Sequence, residues 1–237
     1  MSIVNREALV KRPYQSPLRS AQAKSTRLTI VEAAARLFIA DGYVGTSMDG
    51  IAAAAGVSRA TVFSSVGGKA AILKDAFDMA VVGDDEPIPL PQRPWAIAVR
   101  NEPDPHRMID AYAGMITDVS GRVAPIYEAM RGAVGADVEV KAVWEAMRKE
   151  RRGGAAGFVG FVVARGALRA GVDRKRAADV VWVLNDPGTY HLLVHEMHWT
   201  QAQFRSWLAE TLEEQLLERN GPGGVLQARR RSAARPG

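Results

Sequence analysis

The sequence predicts an all-α protein with a three-helix domain near its amino-terminal end and a longer helical bundle after it. Apolar residues recur, in one segment after another, at the three- and four-residue spacing of a helix that buries one face. Gly42 and Gly56 stand where two of the early helices would end. After Pro105 no segment shows the strict alternation of apolar and polar residues that a β-strand requires.

The first predicted helix covers residues 29–42 and carries one apolar stripe. The members of this stripe lie at helical intervals and are Ile30, Ala33, Ala34, Leu37 and Phe38. Gly42 follows the last of them, and glycine commonly ends a helix because it adopts a positive φ without steric cost.

Residues 46–69 predict two short helices joined by a tight turn. Thr46 or Ser47 can cap the first helix with its hydroxyl, Gly56 can end it, and Ser58 can cap the second. Alanines between these positions let the two helices cross closely. This geometry is that of a helix-turn-helix, which presents its second helix to the DNA major groove, although an αα-hairpin has a similar pattern.

The second of these helices has two distinct sides. We expect Arg59, Thr61 and Ser64 to face the groove, while Val62 and Val66 pack inward. A fourth helix is predicted over residues 69–82.

Residues 25–75 resemble the DNA-binding domain of the TetR/AcrR family of transcriptional regulators. The matching positions keep their order and spacing and are Ile30, Ala33, Ala34, Ala35, Leu37, Phe38, Gly42, Thr46, Ser47, Ile51, Ala52, Ala55, Gly56, Val57, Ser58, Thr61 and Lys69. From about residue 110 to 218 the chain is similar to the family only in its helical architecture.

The resemblance implies a set of candidate DNA contacts. They are Thr46, Ser47, Arg59, Ala60, Thr61, Phe63, Ser64, Ser65 and Lys69. The family usually has a tyrosine where this chain has Phe63 and a histidine where it has Ser65, and it uses both to hold phosphates. Phe63 offers no hydroxyl, whereas Ser64 and Ser65 can still donate.

Positive charge is concentrated at the two ends of the chain. Of the net charge of +5, residues 1–28 carry +5 and residues 219–237 carry another +5, so the part between is acidic. The motif itself has only Arg59 and Lys69 as cations, against Asp49. We predict a basic disordered arm over residues 1–24 and a basic disordered tail over 220–237. Such ends either grip phosphates or are simply solvated.

The predicted domains follow from these boundaries. Residues 25–85 form the helix-turn-helix domain with its motif at about 48–67, residues 86–104 a proline-rich linker, and residues 105–219 the bundle. Helices in the bundle are predicted over 106–120, 123–134, 137 to about 171, 177–185, 189–198 and from a cap at Thr200 onward.

Dimerisation is expected through the end of the chain. The resemblance implies that the last two helices, about 173–198 and 201–219, pair with their copies in a second subunit. A two-fold dimer would also place two recognition helices one DNA turn apart. The last helix carries an apolar stripe that is wider than one partner helix needs, formed by Phe204, Trp207, Leu208, Leu212 and Leu216.

The bundle contains large apolar residues, of which a few are expected to line a pocket for a small apolar effector. The candidates are Met115, Tyr127, Met130, Trp144, Met147, Phe158, Phe161, Trp182 and Tyr190. Gly153, Gly154, Gly157 and Gly160 are interpreted as small residues for close helix packing.

Other kinds of site find little support. The chain has no cysteine, which excludes disulfides and thiolate sites, and it has no apolar run long enough to span a membrane, so a cytoplasmic location is expected. No catalytic motif or cofactor fingerprint is present. His191, His195 and His198 would share one helix face, where a polar seam in a dimer interface or a pocket wall is favoured over a metal site.

The predicted function is therefore that of a homodimeric transcriptional repressor, released from a double-stranded DNA operator by a small apolar effector. Two alternatives stay open. One is a DNA-binding regulator that activates or needs no effector, and the other is a helical enzyme that acts on a small molecule.

Overall fold

The computed structural model describes residues 17–84, 86 and 88–218. This part of the chain consists of helices joined by turns and loops, and its one β feature is an isolated antiparallel bridge between Leu168 and Leu217. The all-α prediction is confirmed. The α-helices are α1 (Pro17–Gly45), α2 (Met48–Ala55), α3 (Arg59–Ser65), α4 (Lys69–Val82), α5 (Pro94–Asn101), α6 (Pro105–Ala133), α7 (Val138–Ala164), α8 (Arg174–Leu184), α9 (Pro187–Tyr190) and α10 (Gln201–Leu216). A 3₁₀ turn covers Leu90–Gln92 and a π-helical segment covers His191–Glu196.

Local capping chemistry sets the boundaries of α2 and α3 as predicted. Ser47 accepts a hydrogen bond from the Gly50 amide, and Ser58 accepts one from the Thr61 amide. Gly56 ends α2 in the left-handed conformation at φ 67°.

Helix α1 begins earlier than predicted. It starts at Pro17, so residues 17–24 are helical and not part of a disordered arm. Pro17 occupies the first turn, where its missing N–H costs no helical hydrogen bond, and no glycine or second proline follows before Gly42. Residues 1–16 of the predicted arm and the predicted tail, 220–237, lie outside the described residues.

The predicted linker contains a helix as well. Pro94 is compatible with the first turn of α5, and Val99 in that helix is buried. Arg93, 3% exposed, holds the preceding segment by donating to the Asp84 carboxylate and to the carbonyls of Glu86 and Ile88. The bond from Arg93 to Asp84, together with one from the Glu86 amide, holds the pKa of Asp84 below its ordinary value.

Helix α6 is continuous where two helices were predicted. Gly121 lies inside this helix and does not end it. An added Cβ at Gly121 would lie 3.2 Å from the Tyr190 hydroxyl, so the glycine makes room for that side chain. Pro125 also lies inside α6. Helix α7 ends earlier than predicted, at Ala164, because Gly166 turns the chain in the left-handed conformation at φ 64°.

Two hydrophobic cores share α6 and α7. One joins α1–α4 to the second half of α6 and the first half of α7, through residues such as Phe38, Ile72, Ile126 and Met130. The other joins α5, the remaining halves of α6 and α7, and the elements from α8 to α10. The boundary between the two cores therefore crosses α6 and α7 and does not coincide with the proline-rich segment.

The apolar stripe of α10 is satisfied within the protomer. Phe204, Leu208, Leu212 and Leu216 are all fully buried against α6 and its neighbours, so the width of this stripe gives no evidence for a second partner. Trp207 is half-buried. Thr200 caps α10 as predicted, in a reciprocal capping box with Gln203. None of the described helices is both long and apolar enough to cross a bilayer.

Candidate functional site

Helix α3 presents one side to the core and the other to solvent. Val62 is fully buried and anchors the helix, and Val66 packs against the same core, as predicted. Arg59, Ala60 and Ser64 are exposed. Thr61 is partly buried, and its hydroxyl lies 2.8 Å from that of Ser58. The exposed side of α3 is therefore mostly uncharged.

Arg59 is the one cation on α3, and an acid on the preceding helix holds it. Its guanidinium donates to the Asp49 carboxylate at 3.0 Å, and it lies 5.7 Å from the centre of the Phe63 ring. Phe63 is 47% exposed. Both charged groups are exposed, so this ion pair is weak and Arg59 can exchange Asp49 for a phosphate or a base.

Thr46 and Lys69 lie behind this surface. Thr46 is 3% exposed, and its hydroxyl donates to the Gly42 carbonyl at 2.8 Å. The Lys69 ammonium donates to the carbonyls of Tyr43 and Thr46 and lies 4.1 Å from the centre of the Tyr43 ring. Both side chains thus hold the turn between α1 and α2 in place. Ser47 is exposed, and Ser65 is partly buried.

Arg27 is a cation near α3 that the motif analysis did not single out. It forms an ion pair with Asp75 of α4 at 2.6 Å and donates to the Ser65 carbonyl at the end of α3. Burial raises the pKa of Asp75, and the Arg27 charge opposes this shift. Arg27 therefore joins α1, α3 and α4.

A cavity of about 640 Å³ lies at the junction of the two cores. Helices α4, α5, α6 and α7 and the proline-rich segment wall it, and its surface is mainly apolar and aromatic. The lining residues are Lys74, Phe77, Asp78, Val81, Leu90, Pro91, Trp95, Ala96, Val99, Arg100, Tyr112, Met115, Ile116, Val119, Ser120, Val123, Met147, Glu150, Arg151, Gly154, Ala155, Gly157, Phe158, Phe161, Asn185 and Pro187.

Comparison with known proteins identifies the helix-turn-helix domain. Residues 30–76 match the family model described as bacterial regulatory proteins, tetR family. The match places residues 30–76, which contain the helix-turn-helix, with the tetR family of bacterial regulatory proteins. No curated protein sequence matches the chain significantly.

Solved structures of transcriptional regulators share the fold of this chain beyond the matched domain. NalD, the secondary repressor of the MexAB-OprM multidrug efflux pump in Pseudomonas aeruginosa, superimposes with a TM-score of 0.64 at 18% identity, over 84% of this chain and 100% of that chain. The transcriptional regulator FadR from Bacillus subtilis, in complex with stearoyl-CoA, does so with a TM-score of 0.64 at 15% identity, over 79% of this chain and 98% of that chain.

Some of the predicted pocket residues line the cavity and others do not. Met115, Met147, Phe158 and Phe161 line it. The remaining five fill other spaces and do not line it: Tyr127, Met130 and Trp144 in the core shared with α1–α4, Tyr190 beside Phe204, and Trp182 under the guanidinium groups of α7.

The cavity also has lining residues that the sequence analysis interpreted otherwise. Gly154 and Gly157 lie at its wall, and an added Cβ at either would meet nothing within 4 Å. These two glycines keep space open and do not serve close helix packing. Trp95 and Val99 come from the helix that had been predicted as linker.

The three histidines do not share one helix face. The rings of His191 and His195 lie 5.2 Å apart in the π-helical segment, whereas His198 lies beyond it with a φ of 59°. Over the described residues, no cluster of three or more histidine, cysteine or acidic side chains has the geometry to hold a metal ion.

Proposed function

We propose that this chain is a homodimeric transcriptional repressor that binds a double-stranded DNA operator through α3 and is released by a small apolar effector in the cavity. One observation carries the proposal. Helix α4 packs on α1 in the core of the DNA-binding domain and, through Phe77 and Val81, also forms a wall of the cavity.

The junction of α4 and α6 can transmit the binding of an effector to the DNA-binding domain and so release the protein from DNA. Arg122 of α6 donates to the carbonyls of Ala80 and Val81 at 3.0 and 3.1 Å, and these two bonds attach the end of α4 to α6. An effector that fits best when α4 lies farther from α6 would favour a conformation with altered spacing between the two recognition helices. Only such a preference between conformations shifts the DNA-binding equilibrium.

Two of the structural neighbours support this proposal by analogy. NalD is described as a repressor, and the FadR structure contains stearoyl-CoA. At 15–18% identity these likenesses concern the fold, so the effector of this chain has to be derived from its own cavity.

The proposed dimer interface lies on side chains that the protomer leaves exposed. Val183 of α8, Leu192 of the π-helical segment and Met197 are 57%, 50% and 65% exposed. They belong to the last helices of the chain, which the resemblance implies for dimerisation, and they replace the buried stripe of α10 as the candidate contact surface.

Selection of bound DNA from a random pool tests the proposal. The expected product is an inverted repeat whose half-sites are about one helical turn apart, or a multiple of it. A pool that shows no enrichment, or that yields single half-sites only, would contradict homodimeric operator binding.

A further inference from the structure

The cavity wall is mainly apolar, and one of its polar edges lies where α6 meets the end of α8. Tyr112 and Asn185, both buried, line the cavity at this edge. The Tyr112 ring stacks on Phe158 with centroids 3.7 Å apart, which holds the hydroxyl in place. The hydrogen-bond donors and acceptors at this edge determine which polar group a ligand needs in order to bind there.

Arg151 determines the orientation of the Asn185 amide. Its guanidinium forms an ion pair with Asp186 at 2.7 Å and donates to the Asn185 side chain at 3.0 Å. A guanidinium only donates, so the atom facing it has to be the amide oxygen. The amide nitrogen therefore faces Tyr112 and donates to its hydroxyl oxygen at 2.8 Å.

The Tyr112 hydroxyl is left with a proton to donate. Within the described part of the chain its one hydrogen bond is the one that it accepts from Asn185. Burial raises the pKa of Tyr112 to about 12, so the phenol stays protonated at physiological pH. An unmet buried donor is costly, and a ligand acceptor would satisfy it.

Ser120 offers a second hydroxyl on the same helix. It is 2% exposed, lines the cavity, and makes no hydrogen bond to another described residue. Tyr112 and Ser120 are eight residues apart on α6, which is about 12 Å along the helix axis. The two hydroxyls thus lie along one elongated wall.

The charged groups that line the cavity do not favour a charged ligand. Lys74 is paired with Asp78, and Arg151 is paired with Asp186. Arg100 and Glu150 are exposed. A carboxylate or ammonium group deep in the cavity would lose its hydration without gaining an uncommitted counter-ion.

We propose that the cavity takes a neutral, mainly apolar ligand with a carbonyl-type hydrogen-bond acceptor that the Tyr112 hydroxyl engages. The inference rests on the proposed function in one respect, namely that the cavity is the effector site. It adds the chemical class of the effector and the residue that recognises it.

Calorimetric titration of the full chain with three ten-carbon probes tests the inference. The probes are decan-2-one, decanoate and decylammonium, which share an alkyl chain and differ in charge and in the polar group. We expect decan-2-one to bind most tightly. Tyr112→Phe keeps the ring and its stacking and should weaken decan-2-one binding about two- to tenfold, as the loss of one hydrogen bond predicts.

Matched variants separate this effect from general damage. Tyr43→Phe removes the hydroxyl of another buried tyrosine, which donates to Asp137 at 2.6 Å and lies outside the cavity lining, so it should leave probe binding unchanged. Gly157→Leu should fill the cavity and abolish binding, whereas Gly153→Leu, on the same helix but not in the lining, should not. Circular dichroism checks that each variant folds.

Several results would overturn the inference. They are tighter binding of decanoate or decylammonium than of decan-2-one, decan-2-one binding that Tyr112→Phe leaves unchanged, and probe binding that survives Gly157→Leu. The DNA selection described above is independent of these titrations. A chain that selects an operator but binds no neutral probe contradicts only the ligand class, and a chain that binds decan-2-one through Tyr112 but selects no DNA contradicts only the proposed repressor.

Discussion

Single side chains near the helix-turn-helix differ in how firmly the fold holds them. Lys69 is held firmly, because its ammonium donates to the carbonyls of Tyr43 in α1 and of Thr46 just after it. An effect of Lys69→Ala on DNA binding would therefore include a change in the position of α2. Arg59 has the opposite character, since only the exposed Asp49 carboxylate and the Phe63 ring hold it.

Arg59→Ala tests whether α3 reads bases. If Arg59 contacts a guanine, operator binding should weaken by about 1–3 kcal/mol, with a much smaller loss on unrelated DNA. Fluorescence anisotropy on both DNAs measures the difference. An equal loss on every sequence would show that Arg59 contacts only phosphate. Arg59→Lys is the matched control, because it keeps the charge and loses the bidentate geometry.

Tyr43→Phe tests the link between the DNA-binding domain and α7. The Tyr43 hydroxyl donates to the Asp137 carboxylate at 2.6 Å, and this bond, together with bonds from the Glu139 and Val140 amides, lowers the pKa of Asp137. Removing the hydroxyl should lower the free energy of unfolding by about 1 kcal/mol, as measured in urea, since water can still reach Asp137.

The loss should depend on pH. The pKa of Asp137 is lowered in the folded state, so its contribution is fully present above the unfolded value of 3.8 and is lost as the pH falls through the folded value. The difference between parent and variant should therefore be constant near neutral pH and shrink below pH 3.8. The same difference in an Asp137→Asn background should be close to zero, and an undiminished difference there would contradict the assigned bond.

At the scale of elements, the start of α1 bears on how a cation-poor motif binds DNA. Arg27 of α1 donates to the Ser65 carbonyl at the end of α3, so the residues of α1 that come shortly before Arg27 lie near this end of α3. Residues 1–16, which precede this helix, add Arg6, Lys11 and Arg12 against Glu7.

Deletion of residues 1–16 should weaken DNA binding and flatten its salt dependence. Each lost phosphate contact lowers the slope of log K against log salt by about 0.9. This truncation stops short of Pro17 and leaves α1 intact, whereas a deletion to residue 22 would also remove helix. Replacing Arg6, Lys11 and Arg12 by glutamine is the matched control at full length. An unchanged salt slope in both proteins would show that these cations do not contact DNA.

The segment between α4 and α6 is a second element whose role follows from its contacts. Buried Arg93 holds it in place, and Leu90, Pro91 and Trp95 turn it into one wall of the cavity. A segment that looked like a spacer therefore belongs to the proposed effector site.

At the scale of the whole molecule, the shared cores connect the helix-turn-helix domain and the cavity through continuous packing. Helices α6 and α7 each contribute one half to the core around α1–α4 and the other half to the core around α10. A ligand at the junction of these cores contacts both. This arrangement suits a protein whose effector acts on its DNA-binding helices.

Leu192→Glu and Met197→Glu test the proposed dimer. Both side chains are half-exposed or more in the protomer, so the charges should spare folding and disrupt only an interface. Sedimentation should give a two-subunit mass for the parent and the 25.6 kDa protomer for the variants. Val44→Glu, at a 71% exposed apolar position of the DNA-binding domain, is the matched control and should stay dimeric. A parent that sediments as a folded monomer at tens of micromolar, about the concentration at which a stable interface is occupied, would rule out the dimer.

The sequence by itself determined the features that depend on neighbouring backbone groups. Ser47, Ser58 and Thr200 cap their helices, and Gly56 ends α2, because each cap is a hydrogen bond or a backbone angle within a few residues. The helix-turn-helix and the all-α class follow from such local chemistry together with apolar spacing.

Only the tertiary structure decided which apolar faces are covered and where space remains. Spacing shows that Leu212 and Tyr127 lie on apolar faces, but α6, α7 and α10 bury both within the protomer. The open space beside Gly157 and the bond that the Tyr112 hydroxyl accepts from Asn185 depend on neighbours that are distant in the chain. Periodicity assigns a residue to one side of its helix, and only packing determines what that side meets.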